Sequence, residues 1–231
     1  MATKRADPRA DGHLDVLASI PPEYRKAVLE QCERRVVRKG EAIWLQGHPA
    51  EFVAFVAEGK LMSSYQSRNG KTGTTGFWCA GDIVGAADLG STTRQMTLRC
   101  LEECVIYTLP YSRFNELVRR FPEIGLAVIR ALSVRLRWVA QLALTLETQS
   151  AHERICGVLL ALVDRFSVPC EQGAMIDLKL TNEDLAAIAG VSRQFANGIL
   201  SDLQRRGLLR TRKRALIVAD RESLERLAYP G

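Results

Sequence analysis

The polar side chains best suited to read a ligand by directed hydrogen bonds are Arg193, Gln194 and Asn197, which lie close together in the sequence. The guanidinium of arginine donates in a fixed fork that matches O6 and N7 of guanine, and the amides of glutamine and asparagine can both donate to and accept from adenine. A helix that presents these residues on one face would carry the chemistry needed to read DNA bases.

Two short helical patterns around a tight turn are predicted to position these side chains. Thr181 is a good N-cap residue, with Asp184 in the first turn that follows. Gly190 lies in the turn between the helices, and Ser192 can cap a second helix over residues 192–206. Together they predict a helix-turn-helix. The residues expected to pack the second helix on the core are Ala196, Ile199, Leu200 and Leu203.

A basic hairpin is predicted after Gly207. The runs 208–210 and 215–219 look like two strands, which makes the motif a winged helix-turn-helix. Residues 203–219 contain six basic side chains and no acidic one, a composition that binds phosphates without choosing a sequence. Charge alone would indicate only a solvated basic face, but beside a helix-turn-helix it indicates double-stranded DNA. The predicted phosphate contacts are Thr181, Ser192, Ser201, Arg212, Lys213 and Arg214.

Length, composition and net charge restrict the classes of function that this chain can have. The chain has 231 residues, 47% hydrophobic and 25% charged, which indicates a globular protein with room for two modest domains. Its net charge of +6 favours a polyanionic partner, although an acidic protein or a membrane surface would satisfy the same charge. No apolar segment approaches the length that spans a bilayer, so we expect a cytoplasmic protein without a membrane partner.

The cysteines and histidines form no metal-binding pattern. The six cysteines are scattered and His13, His48 and His152 stand apart from them, so no metal site is predicted. Most of the thiols are expected to lie in the core. A redox pair of Cys100 and Cys104 stays open: a turn could bring the two together, whereas within one strand their side chains would lie too far apart for a bridge.

Turn signals recur at fairly even spacing over residues 35–110, for example at Gly40, Gly59 and Gly70. Short strands must lie between them, and the run 52–57 is apolar on both faces of such a strand. The pattern predicts an α+β protein that begins with a β-sandwich or β-roll, over residues 1–120.

One long helix is predicted within residues 121–150, because no proline or glycine follows Gly125 there. Apolar residues recur alternately three and four positions apart, as in the seam between two supercoiled helices. This spacing favours a homodimer over a helix that packs only on its own domain. The predicted interface residues are Ile129, Leu132, Leu136, Val139, Ala143 and Leu146. A hinge at 148–151 would lead into a further helix, 151–166, and the DNA-binding domain, 151–231.

The order of β-roll, long helix and winged helix-turn-helix resembles the Crp/Fnr family of bacterial transcription regulators. Its most specific parts are the turn AGVSRQ at 189–194 and the exit from the recognition helix into the wing at 203–209. The resemblance implies a dimer whose cyclic-nucleotide-binding-like N-terminal domain senses an effector and whose recognition helices bind a palindromic operator. RNA polymerase is a further partner that it implies.

The chain departs from the family at the pocket that holds cyclic AMP in the cyclic-AMP receptor members. That pocket uses Gly-Glu for the ribose and a later Arg-Ser or Arg-Thr for the phosphate. Here Gly85 is followed by Ala86 and Arg94 by Gln95, so cyclic AMP is not the expected effector. The residues that could hold some other, anionic effector are Gly85, Arg94, Gln95 and Arg99. Alternatively, these arginines are surface or salt-bridge residues and no effector exists.

No cofactor is predicted. Oxygen-sensing relatives hold an iron–sulfur centre with an N-terminal cysteine cluster, but Cys32 stands alone in that region. His48 lacks a motif-matched second ligand for haem.

Gly198 is a second departure, at a position where family recognition helices commonly carry arginine or lysine. Glycine in a helix costs about 1 kcal/mol relative to alanine. Gly198 is therefore either retained because it allows a close approach to DNA or to another helix, or it is a tolerated random substitution. Arg193 and Gln194 are then expected to carry most of the base discrimination, with Asn197 assisting.

Two rival functions fit parts of the sequence. A ligand-binding regulatory protein could use its winged domain to contact a protein partner, although the basic charge favours DNA. A cupin-like enzyme would need clustered histidine and carboxylate ligands, and the three histidines are far apart. The sequence therefore predicts a regulator without enzymatic activity.

Overall fold

The computed structural model describes residues 14–70, 72–212 and 215–230. The chain divides into two compact units, the first ending at Arg137 and the second beginning at Trp138. The boundary falls inside the longest helix. The mixture of helices and strands confirms the α+β class.

The first unit is built on two antiparallel sheets. Its strands are β1 (Glu33–Val37), β2 (Ala42–Trp44), β3 (Phe52–Glu58), β4 (Lys60–Gln66), β5 (Thr72–Cys79), β6 (Ile83–Val84), β7 (Thr97–Cys100) and β8 (Cys104–Pro110). Its helices are α1 (Pro22–Leu29), α2 (Tyr111–Arg120) and the start of α3 (Pro122–Thr148). The strand orders are β1-β8-β3-β6 and β2-β7-β4-β5, which confirms the predicted β-roll.

Strand β3 lies deep inside the unit because both of its faces are apolar, as successive side chains of a strand point to opposite faces. Ala54 and Val56 pack in the cluster that contains Leu61 of the second sheet. Val53 points the other way, into a cluster that contains Ile124 of α3.

Helix α3 has one buried side and one open side. Ile124 and Val128 are buried in the first unit. Ile129 and Leu136, from the predicted seam, are 59% and 69% exposed. The other seam residues, also exposed, are Leu132, Val139, Ala143 and Leu146. An apolar stripe of this length, open on a single chain, is the kind of surface that a partner helix covers.

The second unit continues from α3 and carries the predicted helix-turn-helix. Its elements are α4 (Ala151–Phe166), β9 (Ser167–Cys170), β10 (Gly173–Ile176), α5 (Asn182–Ala189), α6 (Arg193–Arg205), β11 (Leu209–Arg212), β12 (Ala215–Val218) and α7 (Arg221–Ala228). The strands form one antiparallel sheet in the order β11-β12-β10-β9.

A reciprocal cap marks the break between α3 and α4. The Ser150 hydroxyl accepts from the backbone N–H of Glu153 at 3.3 Å, and the Glu153 carboxylate accepts from the backbone N–H of Ser150 at 2.6 Å. This cap fixes the start of α4, and the helix predicted over 151–166 is confirmed.

Candidate nucleic-acid interface

The helix-turn-helix is shaped by two caps and a left-handed glycine. The Thr181 hydroxyl accepts from the backbone N–H of Asp184 at 3.1 Å and so caps α5. Gly190 follows α5 with φ of 63°, a left-handed conformation that turns the chain sharply. The Ser192 hydroxyl accepts from the backbone N–H of Phe195 at 3.2 Å and caps α6. These contacts confirm the predicted motif.

Helix α6 has a buried face and an open face. The buried residues are Ala196, Ile199, Leu200 and Leu203, as predicted. Arg193, Gln194 and Ser201 are exposed on the remaining surface. Within the described part of the chain, no hydrogen bond or ion pair occupies the side chain of Arg193 or Gln194. Both are therefore available to an outside ligand.

Asn197 is held differently from the other two candidate base readers. Its side chain is half-buried, and Oδ1 accepts from Nδ2 of Asn182, the first residue of α5, at 2.7 Å. The second lone pair of Oδ1 and the two N–H groups of Nδ2 stay open to a base, but the contact with Asn182 fixes the orientation of the amide. Asn197 thus joins the two helices of the motif, a contact that the sequence did not indicate.

The wing is the hairpin β11–β12, in which Arg212 pairs with Ala215. Arg210 and Arg212 are exposed on it. The predicted phosphate contacts Lys213 and Arg214 lie outside the described residues. The described part of the wing therefore offers two arginine side chains to a polyanion.

An acidic residue just before the basic stretch reduces its charge. Asp202 pairs with Arg205 at 2.8 Å and with Arg206 at 3.7 Å. Further along, Nε2 of Gln204 donates to the hydroxyl of Thr211 at 2.9 Å and ties α6 to the wing. The positive charge offered to a ligand by the described residues is therefore strongest at the start of α6 and on the wing.

The remaining predicted phosphate contacts are hydroxyl groups. The hydroxyl of Thr181 donates to the carboxylate of Asp184 at 2.7 Å, which places a negative charge beside it. Ser192 uses its oxygen as a cap acceptor, so its hydroxyl hydrogen can still donate to a ligand. Ser192 and the exposed Ser201 therefore suit a phosphate better than Thr181 does.

Arg154 joins the hinge to the turn of the motif, a role that the sequence analysis missed. Its guanidinium donates to the carbonyl oxygens of Gln149 and Ala189, each at 2.8 Å, and of Gly190 at 3.3 Å. Gly190 also approaches Leu146, because a Cβ on this glycine would lie 2.6 Å from Cδ2 of that leucine. Leu146, predicted as a dimer contact, therefore also packs within the DNA-binding unit.

Known domain families match both parts of the chain. The cyclic nucleotide-binding domain matches residues 34–121, and the Crp-like helix-turn-helix domain matches residues 153–227. The chain belongs to the Crp/Fnr family.

Known proteins are similar to this chain over most of its length. Electron transport regulator A of Shewanella oneidensis is 24% identical over 195 residues, which cover 84% of this chain and 78% of that protein. The transcriptional activator protein anr of Pseudomonas aeruginosa is 25% identical over 197 residues, 85% of this chain and 80% of that one. The solved structure of the c-di-GMP responsive regulator CLP of Xanthomonas campestris matches with a TM-score of 0.76 at 24% identity, covering 87% of this chain and 100% of that one. This Crp/Fnr chain is a DNA-binding transcription regulator, and the enzyme alternative has no support.

In the effector domain of this Crp/Fnr chain, the predicted anion ligand Arg94 is buried, with 1% of the residue exposed. Its Nη1 pairs with the carboxylate of Asp88 at 3.2 Å and donates to the hydroxyl of Tyr111 at 3.0 Å. Its Cζ lies 3.9 Å from the ring centroid of Trp44, a cation–π distance. Arg94 therefore forms a buried salt bridge, which is one of the alternatives that the sequence left open.

Gly85 lets the backbone approach this arginine. It has φ of 82°, and a Cβ on it would lie 2.7 Å from Nη1 of Arg94 and 3.0 Å from the carbonyl oxygen of Phe52. The hydroxyl of Tyr111 donates to the carbonyl oxygen of Gly85 at 2.7 Å, and burial raises the pKa of that hydroxyl, which keeps it protonated. The structure therefore does not support an effector pocket around Gly85 and Arg94.

The other two candidates, Gln95 and Arg99, have exposed side chains that donate to nearby backbone. Nε2 of Gln95 donates to the carbonyl oxygen of Thr93 at 3.2 Å, and Nη1 of Arg99 donates to that of Gly40 at 2.6 Å. A phosphodiester such as that of cyclic AMP is bound by a guanidinium that can pair with it. Arg94, at the matching position, is enclosed by protein groups.

A polar cluster that the sequence analysis missed lies where β5 meets α3. Nη2 of Arg135 donates to the carbonyl oxygen of Thr75 at 3.2 Å, and its Cζ lies 4.4 Å from the ring centroid of Trp78. The indole N–H of Trp78 donates to the buried hydroxyl of Ser63 at 3.2 Å. The contacts span β4, β5 and α3, so no local spacing could reveal them.

Three of the six thiols, those of Cys100, Cys104 and Cys156, are buried, and the other three are partly exposed. Cys100 and Cys104 are buried, and the turn between β7 and β8 brings their side chains into a hydrogen bond that raises the pKa of Cys100 and lowers that of Cys104. Burial raises the pKa of Cys32 to about 12. Over the described ranges, no cluster of three or more metal-ligating side chains was found, and no helix is long and apolar enough to cross a membrane.

Proposed function

We propose that the chain works as a homodimer that binds a palindromic operator through the recognition helix, residues 192–206, of each protomer. The observation that carries the proposal is the placement of Arg193 and Gln194. Both are exposed at the start of a capped helix whose opposite face is buried. The first residues of a recognition helix are those that contact base edges in the major groove. Arg193 suits guanine and Gln194 suits adenine.

The open side of α3 supports the dimer. Leu136 and Ile129 lie in a stripe of exposed apolar residues with alternate spacings of three and four. Two copies of such a stripe cover each other in a coiled coil, and a two-fold dimer requires an operator with two half-sites about one helical turn apart. As a transcription regulator in the cytoplasm, the dimer would then act on RNA polymerase.

Arg210 and Arg212 on the wing, with Ser192 and Ser201 on α6, are proposed to contact phosphates. The arginines are exposed, and neither is held by another described residue. Such contacts fix the register of the protein on the duplex and make binding depend on salt.

Cyclic AMP is not the proposed effector, because Arg94 is enclosed by Asp88, Tyr111 and Trp44. Thermal denaturation of the purified chain in millimolar cyclic AMP tests this point. We expect an unchanged melting temperature, and a clear rise would overturn the exclusion.

Binding to random-sequence duplex DNA at increasing salt tests the function itself. The logarithm of the association constant is expected to fall linearly with the logarithm of salt concentration, with a slope that reports the phosphates neutralised. A regulator that acts only on a protein partner would show no measurable DNA binding at low salt, and that result would overturn the proposal.

A further inference from the structure

Phe195 breaks the polar character of the open face of α6. It lies in the first turn of the helix, next to Gln194, and is 55% exposed. Among the described residues of 181–212, it is the one large apolar side chain with this exposure. Single exposed apolar residues are common on protein surfaces, so exposure alone decides nothing. The position of Phe195 matters because the first residues of a recognition helix are those that contact base edges.

The surface around Phe195 is open. The residue borders a shallow depression of ≈ 410 Å³ whose lining also includes Ser192, Gln194, His152 and Asp202, and the carboxylate of Asp202 is paired with Arg205 and Arg206. Gly198, one turn further along the helix, borders it too, and a Cβ built there would meet nothing within 4 Å. No side chain at Gly198 therefore covers the aromatic ring.

Phe195 is not needed to bury the helix. The core face of α6 is complete without it, because Ala196, Leu200 and Leu203 are 4% exposed or less. The hydrogen bond at this position uses only the backbone N–H of Phe195, which donates to Ser192.

Polar readout on the same helix is limited. Asn197 already accepts a hydrogen bond from Asn182, and Gly198 has no side chain with which to contact a base. An apolar contact would add a further way to read a base beside Arg193 and Gln194. The apolar group that the major groove presents is the C5-methyl of thymine, and phenylalanine is among the side chains that contact it.

We propose that Phe195 contacts the C5-methyl group of one thymine in each half-site and so selects thymine over cytosine at that position. This inference rests on the proposed function, in which α6 enters the major groove. The exposed Arg193 at the start of the helix, with Arg210 and Arg212 on the wing, supplies the charge that holds the duplex against this surface.

Removing single methyl groups from the operator tests the proposal. Each thymine of a half-site is replaced in turn by deoxyuridine, which changes no hydrogen bond, and affinity is measured by fluorescence anisotropy with the whole chain. We expect one position in the parent chain to lose roughly three- to fourfold in affinity, the value of one buried carbon group. With Phe195→Ala that loss disappears, while Phe195→Leu retains part of it.

A matched control is Tyr229→Ala, which removes an exposed aromatic ring elsewhere in the same unit and should keep the full sensitivity to deoxyuridine. If Phe195→Ala and the parent chain lose the same affinity at every thymine, or if the selected half-site contains no thymine next to the bases read by Arg193 and Gln194, the proposal is wrong. Failure of the parent chain to bind any selected operator would instead refute the proposed function.

Discussion

Two arginines that the sequence presents as candidate ligand contacts, Arg94 in the effector domain and Arg193 on α6, are treated by the fold in opposite ways. Arg94 is 1% exposed and bound to Asp88 and Tyr111. Arg193 is exposed and has no partner among the described residues. The same side chain therefore serves the core in one domain and faces an outside ligand in the other.

The difference shows what decides an arginine's role. The groups that enclose Arg94 include Trp44 and Phe52, which are distant in sequence and meet it only through the β-roll. The exposure of Arg193 follows from local signals: the cap at Ser192 fixes where α6 begins, and the apolar stripe of the helix fixes which side faces the core. Roles set by local signals can be predicted from sequence, and roles set by tertiary packing cannot.

Removing the buried arginine should have the largest effect. Arg94→Ala is expected to lower the free energy of unfolding by about 3 to 5 kcal/mol, because it leaves the buried carboxylate of Asp88 without its partner. Urea denaturation measures the change. Arg99→Ala is the control, since Arg99 is exposed and a similar loss there would show that Arg94 has no special structural role.

Leu136→Glu tests the open side of α3. Carboxylates facing each other in the seam should dissociate the dimer, and affinity for the palindromic operator should fall by roughly a hundredfold as the two half-sites lose their linkage. Sedimentation velocity reports the oligomeric state. Gln141→Glu adds the same charge at an exposed position outside the seam and should leave a dimer. If the Leu136→Glu chain sediments as an unchanged dimer, the seam is not what holds the dimer together.

Arg193→Ala and Arg212→Ala separate base reading from phosphate binding. The first should cost about 1 to 3 kcal/mol on the operator and relax one base position in each half-site. The second should weaken operator and random DNA alike and reduce the salt slope by about one unit. Titrations on both DNAs at several salt concentrations distinguish them. Equal relaxation of specificity by the two variants would contradict this division.

Two glycines give the smallest effect and a sharp contrast. Gly198→Ala should raise the free energy of unfolding by about 0.5 to 1 kcal/mol, because the position is helical and its Cβ meets nothing within 4 Å. Gly85→Ala should lower it, because φ there is 82° and the new Cβ would lie 2.7 Å from Nη1 of Arg94. Thermal denaturation tests both. A stabilised Gly85→Ala protein would refute the tight approach at Arg94.

Most elements of the fold could be predicted from local signals. The helix over 151–166 begins at a serine cap and was placed correctly, as were the two helices of the DNA-binding motif. Strands β9 and β10 were not predicted. Both are short, and β9 contains Pro169, which the fold tolerates because this strand lies on an edge of the sheet. The site was predicted less completely, since the contacts of Asn197 with Asn182 and of Arg154 with the turn join elements that only the fold brings together.

The central claim is that the start of α6, carried by a dimer, reads operator sequence. Selecting bound sequences from a random pool of duplex DNA, with the parent chain and with Arg193→Ala in parallel, tests it most directly. We predict that the parent chain enriches an inverted repeat whose half-sites are centred about 10 base pairs apart or a multiple of that spacing, and that Arg193→Ala loses one position of each half-site. A pool without an inverted repeat, or identical sequences enriched by both proteins, would contradict the claim.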